Sequence, residues 1–276
     1  MKVIPLAVTA GAMALTACTT QKSLNTLKYP ETKKIEHTDT YFGTAVADPY
    51  RWLEDDRAED TKEWVQREVA FTNDYLSKIP FREEIRQQLR DIWNYEKISA
   101  PFKEGDYTYF YKNDGPQAQS ALYRTNSQGV TELFLDPNKF SDKGTTSMSA
   151  VSFNKKGNLV AYSISEGGSD WQKIIIMDAV TKKIIDEPIV MKFSGASWLG
   201  EEGFFYSTYD SPKDGSILSG ITDTQKVYYH KLGTKQSEDK LIIGGENFKR
   251  RYMGVSVSDD QRFLILSAAN ADRKST

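Results

Sequence analysis

Few side chains in this sequence could do nucleophilic or metal chemistry. The 276 residues contain two histidines, His37 and His230, and a single cysteine, Cys18, which lie far apart along the chain. A zinc site needs several histidine or cysteine ligands, and a redox pair needs two cysteines. We therefore expect no metal, no disulfide and no cofactor. A histidine acts as a general base only beside a nucleophile and an orienting acid, so both histidines are interpreted as structural or exposed.

The composition excludes several classes of protein. Hydrophobic residues make up 39% of the chain and charged residues 27%, which is typical of a globular protein rather than of a multispanning membrane protein or a disordered chain. The 36 basic residues against 38 acidic residues leave a formal charge of −2, and the basic residues are scattered. We therefore expect no nucleic-acid partner.

The N-terminus has the pattern of an export signal. An apolar run over residues 3–15 follows Lys2 and is too short to span a bilayer. The run ends in the tetrapeptide LTAC, which resembles the bacterial lipobox, whose cysteine is lipidated and becomes the first residue of the mature protein. Cys18 occupies that position. An ordinary signal peptide cut near Ala17, with an incidental cysteine, is the alternative.

This pattern predicts a lipoprotein signal peptide over residues 1–18 and a polar tether over residues 19–28. The mature protein is then exported, as a periplasmic or membrane-anchored lipoprotein. A membrane is a predicted partner through the N-terminal lipid.

The elements that follow are two helices and then strands. Apolar residues recur at helical spacing over residues 60–79 and again over 85–93, with Pro80 between them. From residue 106 onward, short β-branched or aromatic stretches are bounded by Gly, Asn, Asp and Pro. These predicted strands cover residues 107–111, 121–124, 131–135, 174–177, 204–207, 226–230 and 263–267.

The strand region repeats. Residues 150–163, 195–207 and 254–267 each contain a small residue, an apolar-Ser-apolar strand, a polar turn and a hydrophobic strand. A unit of four antiparallel strands that recurs every ~40–60 residues is the pattern of a β-propeller blade. A β-sandwich with coincidental internal similarity is the alternative.

Counting these units predicts a mainly β fold, an incomplete β-propeller preceded by two α-helices. We assign blades to residues 106–136, 148–185 and 193–243, with the start of a fourth from residue 252. The outer strand of the second blade is predicted at residues 183–185. Because propellers close with roughly four to eight blades, we expect the chain to hold only part of one.

Several stretches resemble one enzyme family. The segment DPYRWLED at residues 48–55, followed by a Trp-Val pair on the first helix, resembles the N-terminal region of the prolyl oligopeptidase family of serine peptidases. DPYRWLED also favours prolyl oligopeptidase over its relative oligopeptidase B. The stretches that resemble the first four blades of the family are YFYKNDGPQAQSALYR at 109–124, GSDW at 168–171, KFSGASW at 192–198 with YYHKLGTKQSED at 228–239, and VSDDQRFLILS at 257–267.

The resemblance implies a two-domain enzyme that cleaves short, proline-containing oligopeptides after proline. A seven-bladed propeller is inserted into an α/β-hydrolase domain, which carries a Ser, Asp and His triad, and the propeller filters substrates by size. In this scheme residues 29–100 form a helical segment that packs with the hydrolase domain, and residues 101–276 form about three blades and the start of a fourth.

The departure from the family concerns catalysis. The nucleophile of this fold stands on a G-x-S-x-G turn, and no such motif occurs in the 276 residues. We therefore assign no catalytic residue, regard the α/β-hydrolase catalytic domain as missing, and predict that this chain alone, as a truncated or fragmentary product, is inactive. The alternative is a lipid-anchored β-propeller that serves as an interaction module without peptidase activity.

Two residues are candidate substrate-binding positions by the resemblance. Phe193, in KFSGASW, matches a family position that faces the central cavity and contacts bound peptide; an ordinary blade-core aromatic is the alternative. Asp170, in GSDW, resembles a position near the interface between propeller and hydrolase, where a carboxylate can engage a cation. An ordinary surface turn is the alternative for Asp170.

Overall fold

The structure, a computed structural model, describes residues 27–211, 220 and 222–270. The predicted signal peptide with Cys18, and all but the end of the predicted tether, lie outside the described residues.

A small hairpin precedes the helices and was not predicted. Its strands are β1 (Thr38–Tyr41) and β2 (Thr44–Ala47), which pair antiparallel. Phe42 and Gly43 join them with φ angles of 51° and 84°. Two left-handed residues match the twist of a two-residue hairpin, but Phe-Gly lacks the Asn-Gly or Asp-Gly signature that would reveal it in the sequence.

Two helices follow, as predicted, at α1 (Glu59–Ser77) and α2 (Arg82–Trp93). The Asp55 carboxylate accepts a hydrogen bond from the Ala58 backbone N–H at 3.1 Å, just before α1 begins. The apolar residues Val69, Ile85 and Leu89 are exposed, so the two amphipathic helices present apolar surface to solvent. No helix in the described part of the chain combines the length and the apolar character needed to cross a membrane.

The rest of the described chain forms antiparallel sheets in succession, which we call blades 1 to 4. Blade 1 contains β3 (Lys97–Ile98), β4 (Phe102–Glu104), β5 (Tyr107–Asn113), β6 (Ala121–Thr125) and β7 (Thr131–Leu135), and both β3 and β4 pair with β5. Blade 2 contains β8 (Thr146–Phe153), β9 (Leu159–Glu166), β10 (Trp171–Asp178) and β11 (Ile189–Lys192). Blade 3 contains β12 (Ser197–Leu199), β13 (Gly203–Thr208), β14 (Lys226–Lys231) and β15 (Lys240–Ile243), and blade 4 contains β16 (Arg251–Val257) and β17 (Leu264–Asn270). Blade 1 therefore begins at Lys97, slightly before residue 101.

Blade 2 is buried on both faces, one against blade 1 and the other against blade 3. Neighbouring residues of a strand point to opposite sides of the sheet, so they belong to different clusters. Val160 of β9 packs in one cluster with Tyr109 of blade 1, whereas Leu159 packs in another with Trp198 of blade 3. The same alternation explains the unbroken apolar run at 174–177, since both faces of β10 need apolar residues.

The predicted outer strand of blade 2 at 183–185 is wrong. Ile184 makes only an isolated bridge to Met177, and the outer strand is β11, after Pro188. Proline has no backbone N–H to donate to a sheet ladder, so continuous pairing begins only after it.

Blades 1 and 2 also meet through two turns that require glycine. Gly157, in the turn between β8 and β9, has a φ of +72°, and a Cβ there would lie 2.3 Å from the backbone nitrogen of Gly105. Gly105, in the turn between β4 and β5, has a φ of +55°. The absence of side chains lets the two backbones touch, which fixes the packing of blade 2 on blade 1.

Candidate functional site

One edge of the blades gathers the segments that carry the predicted site residues. In an up-and-down sheet, the connection between strands two and three lies at the same edge as the connection from strand four to the next blade. We call this edge the loop face. Its described connections are 114–120, 136–145, 167–170, 193–196, 209–211 with 220 and 222–225, and 244–250.

Phe193 lies in the loop-face connection between blades 2 and 3. It follows β11 directly, in a left-handed backbone conformation with φ of 57°. Its ring makes edge contacts with two tyrosines, at a centroid distance of 6.4 Å to Tyr209 and 6.2 Å to Tyr252. Phe193 is 49% exposed and lies outside both hydrophobic clusters, so its ring is presented at the surface. Its role in binding stays a prediction.

Tyr209 and Tyr252 were not singled out from the sequence. Tyr209 comes directly after β13 in blade 3, and Tyr252 lies in the first strand of blade 4. The only sequence signal was an aromatic residue at the same end of successive blades. We call these two rings and that of Phe193 the aromatic cluster; together they offer an apolar surface whose edges suit a proline ring or another apolar side chain.

Asp170 and Phe193 both lie close to the side chain of Lys192. Its carboxylate lies 3.8 Å from the Nζ of Lys192, and Asp170 itself is exposed in the turn before β10. Lys192 is only 8% exposed, and its ammonium lies 5.1 Å from the centroid of the Phe193 ring. The two predicted site residues thus flank one buried cation, which the sequence did not indicate. The role of Asp170 stays a prediction.

A cleft of about 920 Å³ adjoins the aromatic cluster. Tyr209 and Tyr252 form part of its wall, and charged side chains form the rest. Lys249 lies 3.1 Å from the Asp223 carboxylate, and its hydrogen bond holds the pKa of Asp223 below the usual range. Arg251 also lines the cleft. Apolar rings beside polar and charged groups can hold the side chains and the backbone of an extended peptide.

The loop face offers no activated nucleophile among the residues described around Phe193. The Ser194 hydroxyl accepts a hydrogen bond from the Ser207 backbone N–H at 2.8 Å and donates to the carbonyl oxygen of Gly195 at 3.2 Å. It therefore has no base beside it to take its proton. The described residues also contain no group of three or more His, Cys, Asp and Glu side chains that could hold a metal ion.

His230 is held in a buried polar network away from the loop face. Its Nδ1 lies 2.7 Å from Asp239 and its Nε2 lies 3.2 Å from Asp186, which comes from blade 2. The hydroxyl of Tyr206 donates to the other oxygen of Asp239 at 2.7 Å. Both imidazole nitrogens are therefore occupied by carboxylates, which is a structural role.

The same network sets the charge of His230. Burial lowers its pKa, but the hydrogen bonds and negative charges of Asp239 and Asp186 outweigh burial and raise the pKa above its ordinary value. Through these two carboxylates His230 joins blade 3 to blade 2. His37, by contrast, lies directly before β1 and is partly exposed. Its Nε2 lies 3.2 Å from the carboxylate of Asp39.

Comparison with known proteins gives a consistent assignment. The family model for the prolyl oligopeptidase N-terminal β-propeller domain matches residues 30–276. The prolyl endopeptidase of Elizabethkingia meningoseptica is 71% identical over 98% of this chain, and prolyl oligopeptidase A of Amanita bisporigera is 32% identical over 86% of it. The chain spans 38% and 36% of the length of these relatives.

Solved structures agree. Prolyl oligopeptidase B from Galerina marginata, bound to a 35mer hydrolysis and macrocyclization substrate, is 26% identical, with a TM-score of 0.70 over 88% of this chain and 37% of its own. Oligopeptidase B from Leishmania major, at 19% identity, shares the fold with a TM-score of 0.69 over 88% of this chain and 36% of its own. The described part of this chain therefore shares its fold with these two solved structures.

Proposed function

Because this chain belongs to the prolyl oligopeptidase family, we propose that it is the N-terminal portion of a serine endopeptidase that cleaves short peptides after proline. The family and the mainly β fold, part of a propeller preceded by two helices, are as predicted. The observation that carries the proposal is the 71% identity to a prolyl endopeptidase over 98% of the chain. In this proposal the portion gates and contacts the substrate, and the triad lies in the α/β-hydrolase portion.

The aromatic cluster supports a direct contact with substrate. Phe193 is 49% exposed, and Tyr209 and Tyr252, the two tyrosines that its ring contacts, line the cleft of about 920 Å³. An apolar residue of the peptide that covers this ring removes apolar surface from water, which is worth about 1.5–3 kcal/mol for a full side chain. Phe193 is accordingly the proposed apolar contact for bound peptide.

The charges of the loop face support a contact with the catalytic portion. Asp170 is exposed, and its carboxylate lies 3.8 Å from the ammonium of Lys192, a long contact for an ion pair. We assign Asp170 the role of engaging a cation at the interface between propeller and hydrolase.

The exposed apolar surface of the two helices also supports an assembly with the hydrolase portion. The exposed residues Val69, Ile85, Leu89 and Ile92 form the apolar side of α1 and α2, and helices in globular proteins bury that side against another element. We propose that residues 29–100 pack on the hydrolase portion through this surface.

The test is a joined enzyme, in which this chain replaces the corresponding N-terminal portion of the Elizabethkingia meningoseptica prolyl endopeptidase. We expect it to hydrolyse a prolyl reporter peptide, and we expect Phe193→Ala to raise KM by about tenfold with little change in kcat, because a binding contact is lost rather than a catalytic one. Phe263→Ala is the matched control, since Phe263 is similarly exposed at 61% but follows the turn at the opposite edge of blade 4.

Two outcomes would contradict the proposal. A joined enzyme that folds but does not cleave after proline would favour the interaction module. An equal effect of Phe193→Ala and Phe263→Ala on KM would remove Phe193 from the substrate contact.

We also propose that the protein is an exported lipoprotein anchored through Cys18. The support is the sequence alone, in which the single cysteine stands at the end of an apolar run in the tetrapeptide LTAC.

We expect Cys18→Ala to abolish lipid attachment in a Gram-negative host, because the acyl chains need the thiol. The wild-type protein should gain acyl mass on a new N-terminal Cys18 and enter the membrane fraction, and the variant should be unprocessed or free of lipid. Intact mass and labelling with a radioactive fatty acid measure this, and Thr19→Ala serves as a neighbouring control. A wild-type mass without acyl chains would show that the signal peptide is an ordinary one.

A further inference from the structure

Gln225 is a buried amide that connects two blades at the loop face. It precedes β14 and is 1% exposed. Its Nε2 donates to the carbonyl oxygens of Lys192 at 3.2 Å and Phe193 at 3.4 Å. Its Oε1 accepts from the backbone N–H of Met253, in β16, at 2.7 Å. One side chain of blade 3 therefore holds the end of blade 2 and the first strand of blade 4.

The two segments that Gln225 holds carry two of the three rings of the aromatic cluster. Phe193 is itself one of the hydrogen-bonded residues, and Tyr252 is the residue before Met253. The centroid distance of 6.2 Å between the Phe193 and Tyr252 rings thus spans the two backbone segments that the amide ties together.

The backbone of Phe193 needs such a restraint. A residue with a side chain and a φ of 57° is in a sparsely populated conformation, which persists only when its surroundings over-determine it. The hydrogen bonds from Nε2 to two successive carbonyl groups orient the peptide planes on both sides of the Phe193 α-carbon.

The chemistry of the position calls for an amide. Two carbonyl groups need a donor and one buried N–H needs an acceptor, and a glutamine supplies both from one side chain. A glutamate would face two carbonyl oxygens with a carboxylate oxygen, and a methionine would leave all three backbone groups without their partner.

We infer that Gln225 is a positioning residue for the substrate contact of this propeller, because it fixes the orientation of Phe193 and its distance from Tyr252. It acts on a peptide only through these rings. The inference rests on the proposed function, in which Phe193 contacts the peptide.

The test uses the joined enzyme described above and a prolyl peptide whose KM rises in Phe193→Ala. We expect Gln225→Met to raise KM by about tenfold while kcat stays within about twofold, because the rings lose their arrangement but the triad is untouched. In the Phe193→Ala background, Gln225→Met should raise KM no further. This absence of additivity is the signature of a residue that acts through Phe193.

Gln119→Met is the matched control. Gln119 also joins two blades, since its Nε2 donates to the Thr146 carbonyl oxygen at 2.9 Å and its Oε1 accepts from the Met148 N–H at 3.1 Å, but it has no contact with the aromatic cluster. We expect this variant to lower the unfolding temperature and to leave KM unchanged, which separates positioning from general stability.

The outcomes are distinguishable. If Phe193→Ala raises KM and Gln225→Met does not, or if the two effects multiply in the double variant, the inference is overturned and the proposed function stands. If Phe193→Ala leaves KM unchanged, the substrate contact fails, and the inference fails with it. Should Gln225→Met not fold, Gln225→Glu carries the same test, because it keeps the acceptor for Met253 and loses the donor to Phe193.

Discussion

The purified 276-residue chain alone is expected to release no product from a prolyl reporter peptide. The chain has no G-x-S-x-G motif, and its buried histidine has both ring nitrogens on carboxylates. Without a nucleophile and a base, binding cannot replace catalysis; knocking out the triad of a serine protease lowers kcat by about a millionfold. A continuous assay of reporter cleavage, together with mass spectrometry after treatment with a serine-directed covalent inhibitor, measures this directly.

The joined enzyme is the positive control, since it carries the same propeller portion together with a triad. It should cleave the reporter and take up one inhibitor label. Hydrolysis that copurifies with the isolated chain, and disappears when one of its own serines is changed to alanine, would disprove the prediction.

The second large effect is expected at His230. In His230→Leu, Asp186 and Asp239 keep their burial and lose the cation between them. Removing one partner of a buried ion pair costs about 3–5 kcal/mol of unfolding free energy. His37→Leu is the matched control, because His37 is partly exposed and its pair with Asp39 is worth at most about 1 kcal/mol. Urea unfolding of the three proteins at one pH compares these losses.

The same network predicts the direction of a pH dependence. The pKa of His230 is raised in the folded state above the ordinary value of 6.5, so the folded state binds the proton more tightly than the unfolded state does. The resulting stabilisation is fully present below about pH 6.5 and is lost as the pH rises through the folded-state pKa. The groups facing the imidazole are Asp186, Asp239 and, through Asp239, Tyr206.

A urea series from about pH 6 to about pH 9 tests this direction. The unfolding free energy of the wild type should fall with pH more steeply than that of His230→Leu, and His37→Leu should follow the wild type. Parallel curves for the wild type and His230→Leu would show that His230 does not titrate in the network.

Features that depend on neighbouring residues could be predicted from the sequence. The helices α1 and α2 follow from apolar spacing around Pro80, and the strand at Thr131–Leu135 was predicted with the bounds that the structure has. The repeated strand-turn-strand pattern predicted the blades because each blade must bury the same kind of faces. DPYRWLED and the later stretches indicated the family, since long runs of mixed composition rarely coincide by chance.

Pairing partners could not be predicted as well. The outer strand of blade 2 was placed at 183–185, but Ile189–Lys192 pairs with β10, and the β1–β2 hairpin was not recognised. Residues 183–185 are as apolar and β-branched as a strand requires. Which segment joins a sheet depends on the edge available and on Pro188, and local composition reports neither.

For the candidate site, too, individual residues could be predicted from the sequence, whereas their arrangement in space could not. Reading the amino acids alone was enough to predict the family and the order of helices and blades. It also indicated two positions, Phe193 and Asp170, at which the family resemblance places a role. Only the tertiary structure brought Phe193 together with Tyr209, Tyr252 and Gln225. These residues come from three blades, and their distances depend on how whole sheets pack against one another, which is set by the buried side chains between blades and by no spacing along the chain.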